Sequence, residues 1–487
     1  MEERRIDREN AKDPSARNIL FATTELAPLV KVGGLSEASM GLVSMLRTMG
    51  TSVEVVMPDF GHIELREVTE QPLEHLPSWC PPITARRGWA DHVGQLTLLS
   101  FPGSTRAHPY VEPSSGQAWQ DNDAFFLAFS VGVAQLAVIT KPDVVHCNDW
   151  HTAAAIGRLP EHTPSVLTVH NLAHQGISEA SWAKRIGVHG DAFLERGNYN
   201  ALAGGISLAD RVIMVSRSYA EEAVLPATGF GLHNRLIARG ENVAGIRNGI
   251  DLGLWRPSTD PLLPYNYDES DQAGKDMCRK ELLAQTAITD DKGPVLGLVA
   301  RLDYQKGIDL ALALSPYLEN MHASLVVIGS GSPELARMAK QTQERFPDRV
   351  HVFSGYDEQL AHLVVAGSDL LLVPSRFEPC GLTQMQAMTC GTIPVVTDVG
   401  GLRDTVLDVD RNRRAGTGYV ARDATAMSLL DAVHRGAKGW ANPRRRNALR
   451  RRGMTADWSW AAPARRYIEI YDDLISGGST PDSTKSE

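Results

Sequence analysis

Twice along this chain, apolar runs of strand length alternate with segments whose apolar residues recur at helical spacing. The first series begins with Ile19–Thr23, followed by Leu35, Ala38, Leu42, Val43 and Leu46 one helical face apart, and then Val53–Met57. After an irregular region, Phe125–Val138 reads as a helix, Val144–His146, Val166–Val169 and Val212–Val215 as strands, with helical stretches between them. The second series places strands at Val295–Ala300, Leu325–Ile328, Val350–Phe353, Leu370–Val373 and Thr392–Val396. A βα series builds a parallel sheet covered by helices on both faces. The expected fold class is therefore α/β, with two doubly wound parallel-sheet domains facing a cleft.

The pattern pauses where Trp255, Pro257, Pro261, Pro264 and several acids cluster. This divides the chain into a flexible N-terminus at 1–17, a first domain at 18–247, a linker at 248–271 and a second domain at 272–455. Trp460–Leu474 carries Tyr467, Ile470 and Tyr471 at helical spacing, so 456–475 is expected as a C-terminal helix returning to the first domain, followed by a disordered tail at 476–487.

Composition narrows the function. With 487 residues and 43% hydrophobic content, the chain supports large cores, and a net charge of -9 argues against a dedicated nucleic-acid binder. Five widely spaced cysteines form no CxxC pair, so a reducing cytoplasm is expected rather than a disulfide framework or a zinc site. Met1–Arg17 has no apolar core of a signal peptide, and no run is read as approaching a membrane span. Arg444, Arg445, Arg446, Arg450, Arg451 and Arg452 read as a solvated helix face, with an anion or partner patch as the alternative.

The richest motif is Pro374–Gln384, in which Glu378 stands on a turn between a buried strand and the helix starting near Met385. In an open parallel sheet, ligands bind at the carboxyl ends of strands, and a helix start offers free N–H groups to phosphate. Arg301 and Lys306, five residues apart after another strand, suit a diphosphate leaving group. In the first half, the turn containing Lys31, Gly33 and Gly34 lets backbone approach a phosphate, although it lacks a Walker ending. Asp149 and His170 follow neighbouring strands and are candidates to line one pocket for a hydroxyl-rich ligand. Gly329-Ser330-Gly331 lacks the third glycine of a dinucleotide fingerprint, and Asp408-Val409-Asp410 falls in a region read as helix end and surface loop, so no metal site is expected.

Taken in order, these motifs resemble the bacterial glycogen synthases and plant starch synthases of glycosyltransferase family five, from about Asn18 to Leu474. The markers are Lys31-Val32-Gly33-Gly34-Leu35, Asp149-Trp150-His151, Thr168–Leu172, Asn248–Asp251, Arg301 with Gln305-Lys306-Gly307, the segment around Glu378, and Gly400-Gly401-Leu402. The resemblance implies a GT-B architecture of two Rossmann-like domains. It also implies transfer of glucose from a nucleotide sugar, ADP-glucose by preference over UDP-glucose, to the non-reducing end of an α-1,4-glucan with retention of configuration. By position, it implies catalytic roles for His170, Arg301, Lys306, Glu378 and Asp149. Donor contacts are implied for Lys31, Gly33, Gly34, Asn248, Tyr356, Cys380, Gly381, Leu382 and Thr383, with Tyr356 against the base. No metal or other cofactor is expected, because basic side chains take over the usual job of a metal. The expected partners are the sugar nucleotide and a glucan or oligosaccharide, with no nucleic acid and no membrane.

The sequence also departs from the family pattern. Glu37 stands for a usual Asp, Phe125 for an Arg and Ala203 for a Lys, and the 111–117 stretch is short and lacks an Arg-Pro-Gly segment. These changes lie in the acceptor-side domain. The alternatives they leave are a transferase acting on a small acceptor and a weakly active glucan-binding paralogue.

Overall fold

The computed structural model describes residues 17–289, 292–355 and 357–477. The described chain divides into two compact units. The first runs to Ile213 and adds Phe230–Val243 and the segment from Ala464, while the second holds Met214–Gly229 and Ala244–Pro463.

A nine-stranded sheet forms the centre of the first unit. Its order is Val243–Gly245, Arg211–Met214, Ser165–Val169, Val144–Asn148, Asn18–Ala22, Ser52–Pro58, Gly94–Ser100, Thr84–Ala90 and Arg66–Pro72. Asn18–Ala22 pairs in parallel on both sides, Ile19 opposite Val53 and Leu20 opposite Val145. Asn18–Ala22 is buried from Ile19 onward and Val144–Asn148 throughout, as expected for central strands covered on both faces. Thr84–Ala90 runs antiparallel to both its neighbours, Gly94–Ser100 and Arg66–Pro72. The sequence reading left this stretch irregular, because every residue of Arg66–Pro72 is exposed and the strand carries no apolar alternation.

Helix Asn122–Thr140 corrects the membrane reading. Its 19 residues are long and apolar enough to span a bilayer by composition. Twelve of them, including Phe125, Phe126 and Phe129, are buried in the protein, as in a core helix.

A six-stranded sheet organises the second unit, in the order Val350–Ser354, Ser324–Gly329, Val295–Val299, Leu370–Val373, Ile393–Thr397 and Tyr419–Ala421. Every pairing in it is parallel. Its core packs Leu296, Leu298, Leu325, Val327, Leu370 and Val395 against helix residues such as Leu429 and Val433.

Several boundaries differ from the sequence reading, which put all of 18–247 in the first domain, whereas Met214–Gly229 and Ala244–Arg247 belong to the second unit. Residues 248–271 are part of the second unit rather than a linker: Asp260 Oδ2 lies 2.7 Å from His362 Nδ1, the His362 ring stacks on Trp255 at 3.8 Å, and Tyr267 donates to the Cys390 carbonyl at 2.9 Å. Prolines and acids mark irregular backbone here, not a loose one. Arg17, placed by sequence in the flexible N-terminus, donates to Asp472 at 2.6 Å, while 1–16 lie outside the described residues. Ser476 and Gly477 close helix Ala461–Ile475 through backbone bonds to Asp472 and Leu474, and 478–487 lie outside the described residues. From Ala464 that helix belongs to the first unit, where the Tyr471 hydroxyl lies 2.7 Å from His146 Nδ1 and the Tyr467 ring stacks on the His146 imidazole at 5.5 Å.

Candidate active site

The second unit brings Lys306 and Glu378 together by converging two strand-end loops. After Val295–Val299, the chain makes a single tight turn at Tyr304–Lys306, capped by the Asp303 carboxylate, which accepts from the Gln305 N–H at 2.9 Å. Gly307 closes the turn at φ +67°, and a Cβ there would stand 2.0 Å from the Pro374 carbonyl oxygen. Only glycine allows both the left-handed backbone and this approach. Lys306 Nζ thereby reaches Glu378 Oε2 at 2.7 Å, and the same oxygen accepts from Ser375 Oγ at 2.8 Å.

The Glu378 loop is held from several sides. Thr397 Oγ1 donates to the Ser375 carbonyl at 2.5 Å, Ser216 Oγ to the Pro379 carbonyl at 2.5 Å, and the Gly401 N–H to the Glu378 carbonyl at 2.9 Å. Gln384 Nε2 donates to the carbonyls of Cys380 and Gly381 and to Thr405 Oγ1. Helix Thr383–Thr389 starts directly after Leu382, so its first-turn N–H groups have no acceptor within the helix. Gly381 turns the chain at φ +74° to permit this.

Arg301 behaves differently. Its side chain is 49% exposed, with Nη1 4.0 Å from Asp303 Oδ2. It lines a concavity of about 450 Å³ together with Asp303, Tyr304, Ser330, Ser332 and Glu334. Lys306 and Glu378 lie outside this lining, so the basic pair read from sequence is split between an open pocket and a partly buried ion pair. Cys380 and Asn248 sit deeper: burial pushes the Cys380 thiol up to about 12, against the backbone N–H of Asn248, which bonds it. Asn248 is itself buried, with Arg247 donating to its carbonyl at 3.1 Å. Tyr356 lies outside the described residues.

In the first unit, Asp149 follows strand Val144–Asn148 with φ +56°. Its carboxylate accepts from the backbone N–H groups of His170 at 2.6 Å and Asn171 at 3.3 Å. Burial nevertheless raises its pKa to about 7, and the nearby charge of Glu25 adds to the rise. The two residues meet as expected from sequence, but through the His170 backbone: the imidazole Nε2 lies 3.0 Å from Asn148 Oδ1. Desolvation pushes that imidazole down to about 3, so it is neutral at physiological pH.

The glycine turn requires a correction. Glu25, buried beyond the end of the first strand, accepts from the Val32 N–H at 3.0 Å and the Gly33 N–H at 2.8 Å, and from the Tyr110 hydroxyl at 2.7 Å. Those two backbone donors are committed to an internal carboxylate, which disfavours phosphate at the same point. A Cβ on Gly33 would meet nothing within 4 Å, so this glycine leaves open space rather than a donor. Helix Gly34–Thr48 begins at Gly34, and Lys31 Nζ lies 3.4 Å from Glu37 Oε1. Sequence reading missed Glu25 and Tyr110, and took Asn148 and Ser375 only as members of their motifs, with no role of their own. Their one legible signal was position: Glu25, Asn148 and Ser375 sit at or just beyond carboxyl ends of strands.

At two of the departures from the family pattern an arginine lies close by. The Arg106 guanidinium stands 3.8 Å over the Phe125 ring, and Arg235 Nη1 reaches the Ala203 carbonyl at 3.4 Å and Ser207 Oγ at 2.7 Å. Asp408 and Asp410, read by sequence as lying in a surface loop, are each 2.9 Å from Arg435 Nη1, and Asp410 also pairs with Arg445. The basic run is not uniformly solvated: Arg450 is buried, with Nη2 3.0 Å from Asp369 Oδ1.

Residues 18–238 match the starch synthase catalytic domain family, and residues 280–453 match the glycosyl transferases group 1 family. The chain is 37% identical to the glycogen synthase of Thioalkalivibrio sulfidiphilus, over 94% of this chain and 100% of that one. It is 37% identical to glycogen synthase 1 of Methylococcus capsulatus, over 94% and 97%. The catalytic domain of starch synthase IV from Arabidopsis thaliana, solved bound to ADP and acarbose, superposes with a TM-score of 0.84 at 28% identity, covering 95% of this chain and 100% of that one.

Proposed function

The chain belongs to the glycogen synthase family and is a glucosyltransferase, and from that premise we propose that it moves glucose from ADP-glucose to the non-reducing end of an α-1,4-glucan with retention of configuration. The observation that carries this reading is the Lys306–Glu378 pair at 2.7 Å between two strand-end loops, one of which also carries the exposed Arg301. The ligands of the Arabidopsis enzyme, ADP and acarbose, favour an adenine nucleotide and a glucan-like acceptor.

In this reading, Arg301 and Lys306 hold the diphosphate and offset the charge that gathers on it as its bond to the anomeric carbon breaks. Glu378 orients Lys306 and meets the sugar, with the first-turn N–H groups near Leu382 and Thr383 facing phosphate and hydroxyls. Asn248 and Cys380 shape the donor-side wall. The acceptor oxygen attacks on the face the diphosphate leaves, and its proton passes to the departing phosphate oxygen. Neutral His170 and Asp149 hydrogen-bond sugar hydroxyls, and the Lys31–Gly34 turn adds a cation and open space.

The chemistry is proposed to need no metal. Two arginines already engage Asp408 and Asp410, which supports cationic side chains as the charge partners of the diphosphate. Free thiols at all five cysteines support a cytoplasmic enzyme.

The test is transfer from radiolabelled ADP-glucose, and separately UDP-glucose, to glycogen and maltooligosaccharides. Elongation that prefers ADP-glucose and collapses in Glu378→Ala and Lys306→Ala is expected. Donor binding without elongation of either acceptor would overturn the glucan reading in favour of a small acceptor.

A further inference from the structure

Arg376 has no role so far, yet it ties the two loops of the donor-side site at several points. Its guanidinium bonds both oxygens of Asp309, Nη1 to Oδ1 at 2.8 Å and Nη2 to Oδ2 at 2.7 Å. Nη1 also donates to the Tyr304 carbonyl at 2.7 Å, and the guanidinium carbon lies 3.6 Å from the centre of the Tyr304 ring. The Arg376 backbone N–H donates to the Gln305 carbonyl at 2.8 Å, and Gln305 Nε2 returns a bond to the Phe377 carbonyl at 3.2 Å.

Every partner on one side belongs to the turn Tyr304–Lys306 or the start of helix Ile308–Leu312, which follows it. Every partner on the other side lies within two residues of Glu378. Lys306 is thus bracketed in sequence by residues that Arg376 grips, Tyr304 and Gln305 before it and Asp309 after it. A bidentate fork fixes both distance and angle, which a single hydrogen bond or a lysine ammonium does not. Lys306 has a long, flexible stem, so the placement of its ammonium depends on the placement of its turn.

We propose that Arg376 is a positioning residue for glucosyl transfer: with Asp309 and Tyr304 it clips the Lys306 turn to the Glu378 loop and sets where the Lys306 ammonium meets the departing diphosphate. This rests on the glucosyltransferase reading above. The clip touches no reacting atom and acts through Lys306.

The experiment compares wild type with Arg376→Lys, Asp309→Asn, Arg376→Ala and the Arg376→Ala/Asp309→Ala double variant. It measures kcat and KM for ADP-glucose, affinity for ADP by calorimetry, and the melting temperature. Displacing a charge-stabilising group by about 1 Å costs up to roughly a hundredfold, so kcat is expected to fall roughly ten- to a hundredfold in each single variant. KM for ADP-glucose should change less, and ADP affinity should fall with kcat, because ADP carries the charge of the departing diphosphate. The double variant should be no worse than Arg376→Ala, since both remove one clip. Wild-type kcat and ADP affinity in Arg376→Lys and Asp309→Asn would overturn the proposal. So would additive losses in the double variant, or losses that only track the melting temperature. If wild type binds ADP but transfers no glucose, the proposed reaction fails, and ADP affinity across the same variants still decides the clip.

Discussion

Lys306 Nζ stands 2.7 Å from Glu378 Oε2, and these residues come from loops 72 positions apart in sequence. The Glu378 side chain is only 6% exposed and Lys306 23% exposed, so each is the other's main compensation for leaving water. Replacing Glu378 by Gln keeps the shape and the bond from Ser375 but removes the charge that orients Lys306. We expect transfer to fall by about 10²- to 10³-fold in Glu378→Gln, as when a charge-stabilising group is lost, measured as kcat with ADP-glucose and glycogen.

Glu25 accepts from the Val32 and Gly33 N–H groups and from Tyr110, so three donors converge on one carboxylate. Glutamine would turn one acceptor oxygen into a donor facing donors. Glu25→Gln should cost about 1–3 kcal/mol of stability, read from denaturant unfolding. It should also loosen the Lys31 turn, visible as faster hydrogen exchange at Val32 and Gly33.

His146 is fully buried between the Tyr471 hydroxyl and Thr168 Oγ1, and burial pushes its pKa down to about 3. The folded pKa lies below the unfolded one near 6.5, so its stabilising contribution is present above about pH 6.5 and is lost as pH falls toward 3. One such group changes stability by at most about 1.4 kcal/mol per pH unit. His146→Gln should flatten that acid limb in urea titrations, and an unchanged slope would refute the assignment.

Asp369 is shared by Arg450 at 3.0 Å and Arg279 at 2.9 Å, and also accepts from the Val295 N–H at 3.0 Å. Asp369→Ala would leave the buried Arg450 with only the exposed Asp276, at 3.9 Å, as counter-charge. The expected loss is about 3–5 kcal/mol, measured by thermal or denaturant unfolding of the variant. Arg451→Ala, on the exposed side of the same helix, should stay within about 0.5 kcal/mol of wild type.

The site was legible where its chemistry is contiguous. Glu378, Arg301 and Lys306 were recognisable because each stands directly after an apolar run, and the carboxyl end of a parallel strand is where such a fold presents ligand groups. Asp149 and His170 were legible for the same reason. Glu25 and Tyr110 were not, because nothing local says that a glutamate beyond one strand will fold back on the glycine turn or that a tyrosine 85 positions away will donate to it. Arg450 was misread because helical spacing alone does not reveal that a buried acid waits opposite one arginine of six.

By itself, the sequence determined the two βα series, the placement of catalytic candidates at strand ends and the family pattern, because periodicity and turn chemistry are encoded by neighbouring residues. Only the tertiary structure decided which charges are spent internally and which remain open. It put Lys306 in an ion pair and left Arg301 exposed, committed Asp408 and Asp410 to arginines, and gave the Val32 and Gly33 N–H groups to Glu25. The physical reason is that desolvation and pairing depend on distances across the fold, between groups far apart in the chain, and no local pattern carries those distances.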